Sequence, residues 1–339
     1  MATKWPLGNE INTIIQATDT TLDSGTAVQL VNSLAPVLSR EITFLSEPVY
    51  RFYEFAAKKT DLTVNPGNEI KMLTYNNLKV SSPLEEGKHI KTQTLSSSTK
   101  SIKVVEHGTA VMITEAAIRF SFVNELEIAM RQLARNYVTT LELELRDVAV
   151  KGGSGTSKVF GRQKDGAKIT ARNQIAAGVN TLTVATIKDA VEILSTNNAP
   201  KIDGSYYIAF VHPHQSRDLR DCPEWINASN YGAPEQLFNG EIGRIDDVRF
   251  IETTIMPNGA AAESDLGYVA ELKGAGASSA NVYQAVIFGE DYYALAESLA
   301  PEIRTDDTED FGREVKIAWY GIWGTAVLNP THGVIIETA

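Results

Sequence analysis

NELEIAMRQLARNYVTTLELELRDVAV, residues 124–150, carries the strongest periodic signal in the chain. Leu126, Met130, Leu133, Tyr137, Leu141, Leu145 and Val148 advance by three or four, so they fall on one stripe of a helix. Asn124 is a good N-cap with Glu127 in capping-box position, and Gly152-Gly153 supplies a stop. At 1.5 Å per residue such a helix is about 40 Å long. Glu125, Arg131, Arg135, Glu142 and Arg146 occupy the other side, which the spacing predicts to be solvated or to meet a neighbouring chain.

Upstream, the pattern changes from helical to alternating. Pro66-Gly67 is a turn signal, Glu69 to Met72 alternates polar and apolar residues, and Ser101 to Val104 alternates again. Between them, residues 81–100 are mostly Ser, Thr, Lys, Gly and Glu, with Leu84, Ile90 and Leu95 as the only aliphatics. The pattern predicts a long two-stranded ribbon with a polar tip. An arm of about 12 residues would reach roughly 40 Å. An isolated hairpin is marginally stable in water, so this one needs a surface to lie on. Six lysines (Lys71, Lys79, Lys88, Lys91, Lys100 and Lys103) face four glutamates in this stretch. The ribbon is thus locally basic in an acidic chain, either as a solvated hairpin or as the complement of an acidic patch on a neighbour.

The N-terminal 60 residues open irregularly at Trp5, Pro6 and Gly8. A helical spacing follows from Thr26, interrupted at Pro36. Tyr50, Phe52, Tyr53 and Phe55 form an aromatic patch for the core or for a neighbouring chain.

Downstream, residues 152–180 read as a surface loop. A helix is then expected over Thr186–Leu194, a buried strand over Tyr206–Val211 and a short helix over Pro213–Leu219. Further strands are expected over Val248–Glu252, Val282–Phe288, Glu314–Trp323 and Thr325–Glu337, with a bend at Asn329-Pro330. Residues 301–314 are acidic through Glu302, Asp306, Asp307, Glu309, Asp310 and Glu314. The mixture of helices and strands makes the class α/β or α+β.

Three local patterns suggest chemistry. Gly152 to Lys158 superficially resembles a phosphate loop, but a helix precedes it and Val159 stands where Ser or Thr is required, so a flexible loop is the better reading. His212, His214 and Asp218 are close in sequence, yet Pro213 spoils a shared extended face and no HExxH motif exists. A strand-to-helix turn with Pro at the first helical position accounts for them better. Cys222, the only cysteine, precedes Pro223 and reads as a semi-buried thiol.

With 43% hydrophobic and 22% charged residues, the 339-residue chain has the composition of a folded protein of two or three units. The net charge is −11. A protein that grips nucleic acid without sequence preference needs a basic face, so this balance argues against a DNA-binding enzyme or regulator. A single cysteine allows no intrachain disulfide and fits a reducing compartment. No signal-peptide pattern opens the chain, and no run approaches the roughly 18 apolar residues of a membrane span. Synthesis and folding in a cytoplasm are expected.

The order of arm, ribbon, long helix, mixed domain and returning β segment resembles the HK97-fold capsid proteins. NNAPKIDGSYYIAFVHPHQSRDLRDCPEW (197–225), YGAPEQLFNGEIGRIDDVRFIETT (231–254) and SPLEEGKHI (82–90) closely resemble the N4-gp56 family of phage major capsid proteins. The resemblance implies an α+β HK97-like subunit. Residues 1–60 would be an N-terminal arm and 61–113 an extended loop overlapping a neighbour. Residues 114–180 would form a peripheral domain with spine helix 124–150, and 181–299 an axial domain. Residues 300–325 would return to the peripheral domain and 326–339 would form a C-terminal strand in the axial domain.

The resemblance further implies self-assembly into pentamers and hexamers of an icosahedral shell around double-stranded DNA, whose phosphates an acidic inner face would repel. The protein would be a virion component assembled in the host cytoplasm, without catalytic, cofactor or metal residues. Scaffolding, decoration and portal proteins would be separate partners. Intersubunit contact is expected from Lys71, Lys79, Lys88 and Lys91 against Asp306, Asp307, Glu309 and Asp310. An encapsulin-like cargo shell is the alternative within the fold. A metal-dependent hydrolase using His212, His214 and Asp218 is the alternative outside it.

Overall fold

The computed structural model describes residues 51–339 except 62–66, 76–77, 79, 82, 84–86, 88, 91, 121–124, 164–165, 223–240, 264 and 307–312. The expected N-terminal helix, the Asn124 cap and residues 231–240 of the 231–254 motif lie outside the described residues. In chain order the elements begin with α1 (Phe52–Phe55), β1 (Ala57–Lys59), β2 (Glu69–Tyr75), β3 (Ser97–Lys103), β4 (Val105–Thr114), α2 (Glu115–Phe120) and α3 (Glu125–Lys151). Next come β5 (Ser157–Phe160), α4 (Val184–Thr196), β6 (Tyr207–Val211), α5 (Pro213–Arg220), β7 (Glu241–Ile245) and β8 (Val248–Glu252). The chain ends with β9 (Tyr283–Phe288), β10 (Tyr293–Thr305), β11 (Glu314–Val327) and β12 (Gly333–Thr338). Two compact units result. One comprises described residues of 106–140 and 299–322, the other those of 51–105, 141–298 and 323–339.

The larger unit is built on a mixed six-stranded sheet of order β5-β12-β9-β6-β8-β7. β6 runs parallel to β8 and antiparallel to β9, and β12 runs antiparallel to β9 and parallel to β5. Every residue of β6, β9 and β12 is buried. This explains why YIAFV, YQAVIF and GVIIET read as unbroken runs instead of alternating ones. On one face, Ile187, Ala190 and Leu194 of α4 pack on Ala209, Val211, Ala285, Ile287, Val334 and Ile336. On the other, Phe210 meets Phe52 at 4.1 Å and Phe288 at 5.7 Å between ring centroids. The alternation of side chains along a strand divides the two sets. Thr183 caps α4 by accepting from the Thr186 N–H.

Two charges buried in this sheet unit are neutralised by arginines. Glu337 of β12 is 1% exposed and accepts from Nε and Nη2 of Arg172, at 2.7 and 2.5 Å, and from the Gln284 amide at 2.9 Å. Burial pushes its carboxyl up, but these bonds hold it below the usual range. Asp189 of α4 is bound by Arg162 through two bonds and by Lys168 at 2.8 Å.

The C-terminal half of α3 corrects the expectation that Glu142 and Arg146 lie on a solvated or neighbour-facing side. Both are buried within the chain. The Glu142 carboxylate accepts the backbone N–H groups of Arg51, Phe52 and Tyr53 at 3.0 to 3.1 Å, satisfying the start of α1. Burial raises its pKa against the pull of those donors. Arg146 donates to the carbonyls of Ile255 and Leu266 at 2.9 and 2.6 Å, which fixes both ends of the intervening loop. Glu142→Ala would orphan three donors and should cost about 2 kcal/mol or more, measured by urea unfolding of the unassembled subunit.

Two further expectations are revised, and one strand appears where none was expected. Residues 152–180 are not all surface loop: Ser157–Phe160 is a sheet strand, and Ile169 and Ile175 are buried. The acidic 301–314 stretch begins inside the 13-residue strand β10. The C-terminal strands divide elsewhere, because β11 runs unbroken through Gly324 to Val327. A side chain at Gly324 would collide with the Lys103 carbonyl, so glycine is what lets these backbones approach.

In the smaller unit, β11 lies between β10 and β4. Met130, Leu133, Ala134, Tyr137 and Val138 supply the buried stripe of α3, and Trp319 stacks edge-on against Tyr137. The Trp319 indole donates to Asn136 at 3.0 Å. Among the described residues no helix is long and apolar enough to cross a membrane.

Candidate assembly surface

The ribbon forms as an antiparallel pair of β2 and β3, in register from Glu69↔Lys103 to Tyr75↔Ser97. Pairing covers seven residues on each strand, fewer than the dozen expected. The two ends of the ribbon differ sharply. At the foot, the cross-strand pair Ile70 and Ile102 is buried against Ala294, Ala296 and Leu328, with Met72 packed alongside. Lys100 donates to the Asn329 side chain at 2.6 Å, and the Val104 N–H to the Asn68 carbonyl at 3.1 Å.

Farther out, this support ends. Leu73, Tyr75, Leu78, Val80, Ile90 and Leu95 are each more than half exposed, Val80 reaching 97%. Leu73 and Tyr75 share a strand face with Lys71, opposite the face that Ile70 and Met72 bury. Burying such side chains is worth about 1.5–3 kcal/mol each. Exposed apolar residues in such number on one ribbon point to a surface that another molecule covers.

Of the expected contact lysines, Lys71 is exposed and lies 3.5 Å from Glu69. Lys79, Lys88 and Lys91 lie outside the described residues. Asp306 is exposed at the end of β10, where its N–H meets the Lys316 carbonyl. Asp307, Glu309 and Asp310 lie outside the described residues.

The smaller unit carries its own exposed apolar residues, Met112, Ile118, Phe120 and Ile128. Phe120 borders a recess of about 370 Å³ that Thr114, Glu115, Arg119 and Arg313 also line. Ion pairs of one helical turn lie on α2, Glu115–Arg119, and on α3, Glu127–Arg131, both at 2.7 Å.

The remaining candidates have structural roles. The His212 ring accepts the His214 N–H at 3.2 Å and caps α5, with Pro213 in the first turn. His214 stacks on Tyr283, and its Nδ1 is 3.8 Å from Asp218, beyond hydrogen-bond range. Among the described residues no three His, Cys, Asp or Glu side chains gather in a way that could hold a metal ion. Cys222 is half-buried, with its sulfur 3.5 Å from the Asp218 carbonyl. Gly152 has φ +63° and ends α3, and the Gly153 N–H bonds the Thr156 hydroxyl before β5 begins. This is an ordered helix-to-strand turn, the reverse of the strand-to-helix order a phosphate loop needs.

Residues 97–336 match the profile of a phage capsid protein family. No curated protein matches the chain. Among solved structures, the chain is similar to the cyanophage Pam1 capsid asymmetric unit, with TM-score 0.68 and 18% identity over 84% of this chain and 88% of that one. It is also similar to the capsid of cyanophage P-SCSP1u, with TM-score 0.61 and 13% identity over 85% and 88%. The capsid of Ralstonia phage GP4 gives TM-score 0.60 and 15% identity over 84% and 87%. The α+β fold is therefore the HK97-like fold of phage capsids. The chain belongs to the phage capsid protein family, and its work is structural, the building of a shell, rather than catalysis.

Proposed function

We propose that this chain is the major capsid subunit of a tailed phage of the N4-gp56 type, assembling into pentamers and hexamers that close around double-stranded DNA. The observation that carries the reading is the ribbon with a buried foot and exposed apolar outer residues. Such a subunit completes its burial only against a sister copy. Contacts of this heterologous kind close into rings when the rotation allows. In this reading residues 1–60 are the arm, 61–113 the overlapping loop, 114–180 and 300–325 the peripheral domain, and 181–299 with 326–339 the axial domain. The family membership of the chain and its likeness to solved phage capsids support this assignment. The acidic balance of the chain suits a wall that encloses DNA without gripping it. Assembly in the host cytoplasm, with separate scaffolding, decoration and portal proteins, completes the proposal.

Electron microscopy of the expressed chain tests it: closed shells are expected, and a monodisperse monomer at high concentration would overturn it. Lys88→Glu with Lys91→Glu should slow shell formation several-fold at low salt, because steering by complementary charge is screened as salt rises. Light scattering across a salt series reads this out. Equal rates for variant and wild type at every salt concentration would remove the role of these lysines.

A further inference from the structure

We propose that the first turn of α5 is an acid-sensitive catch, held closed by the neutral imidazole of His212 and released when that ring takes up a second proton. The geometry requires a neutral ring. Nδ1 of His212 accepts the His214 N–H at 3.2 Å, which needs a lone pair on that nitrogen. An imidazolium has donors only, so protonation leaves the His214 N–H facing another N–H. The reciprocal half of the cap is the His212 N–H donating to Gln215 Oε1 at 3.2 Å. Gln215 is fully buried and carries the change inward, since its amide donates to the Thr338 hydroxyl at 2.9 Å and to the Tyr283 carbonyl. An Asn, Asp, Ser or Thr cap would hold the same turn without titrating near neutrality.

The surroundings set the sign. His214 follows on the same turn with its ring stacked on Tyr283, and Arg217 reaches its Nε2 at 3.3 Å. Tyr283 of β9 also faces the His212 ring, at 5.2 Å. Asp218 lies beside His214 and Arg217, while Glu252 of β8 lies beside His212 and is paired with Arg220 at 3.2 Å. Burial first, and then His214, push His212 below the usual imidazole range, against the opposing pull of Glu252. A histidine with a depressed folded pKa gives its full stability above the unfolded pKa of about 6.5 and loses it as pH falls toward the folded value. A positive charge at a helix N-terminus is also opposed by the helix dipole.

Amide hydrogen exchange of the full-length unassembled chain at pH 7.5 and 5.5, corrected for the intrinsic pH dependence of exchange, tests the catch. In the wild type the amides of His214 to Ser216 should lose protection by about three- to tenfold at the lower pH, tenfold being the most that an open-state pKa of about 6.5 allows at pH 5.5. His212→Asn should keep its protection at both pH values, and His214→Gln should retain the wild-type response. Equal protection of the wild type at both pH values would overturn the proposal. So would the same loss in His212→Asn, or loss of the response in His214→Gln alone. None of these readouts depends on shell formation, so the proposal and the assembly reading fail separately.

Discussion

Replacing Leu73 and Tyr75 together by serine should abolish shell assembly at subunit concentrations where the wild type assembles fully. Both side chains are more than half exposed, so a substitution creates no internal cavity. Unfolding stability of the separated subunit should stay within about 0.5 kcal/mol of the wild type. Each side chain would bury only against a neighbour, at about 1.5–3 kcal/mol apiece. Losing both removes roughly 3–6 kcal/mol per contact, which corresponds to a rise of at least about a hundredfold in the concentration needed to assemble. Sedimentation velocity over a dilution series measures that threshold, and urea unfolding supplies the stability control. An unchanged threshold would show that the ribbon face carrying Lys71, Leu73 and Tyr75 meets nothing in the shell. By contrast Ile102→Ala, at the buried foot, should destabilise the subunit itself by about 2–4 kcal/mol.

Arg172→Met should be the most damaging single change to the subunit fold. It leaves Glu337 ionised and buried in β12, with the Gln284 amide at 2.9 Å and Lys158 no nearer than 4.0 Å. Breaking a buried pair on one side costs about 3–5 kcal/mol. The pH dependence should also invert. In the wild type the Glu337 pKa is lowered, so its contribution is present above the unfolded value of about 4.5 and is lost as pH falls through the folded one. In the variant, burial acts without the arginine and raises that pKa, so stability should recover as pH falls from 7 to 5. Denaturant melts of unassembled subunits at the two pH values measure this. A variant equally unstable at both would sink the account of Glu337.

Local periodicity carried much of this fold. The stripe on α3 was legible because seven apolar residues kept step over 23 positions, and the helix indeed runs from Glu125 to Lys151. The buried strands β6 and β9 were legible as short apolar runs bounded by turn residues. The buried charges were not. Glu142 and Arg146 sit where an amphipathic pattern places solvent-facing residues, and their partners lie 90 and 109 positions away in sequence. A carboxylate inside an otherwise apolar run, as Glu337 in GVIIET, is the signal that could have pointed to a buried pair. β10 escaped because Glu297, Pro301 and Glu302 break its pattern and only its first four residues are buried. β5 escaped because a four-residue strand has no period to read, and it owes its place to pairing with β12. At the assembly surface, composition identified the ribbon and its need for support. The division into a packed foot and a bare outer half depends on Ala294, Ala296 and Leu328, which lie about 190 or more positions downstream and which no local pattern links to Ile70 or Ile102.

Oxidative footprinting of Leu73, Tyr75, Leu78 and Leu95 in the separated subunit and in the assembled shell compares directly what covers the outer ribbon. Strong labelling in the subunit and at least a fivefold fall in the shell are expected, with Ile70 and Ile102 protected in both. Equal protection of the outer residues in the lone subunit would mean that the chain covers its own ribbon, and the account of assembly through it would be wrong.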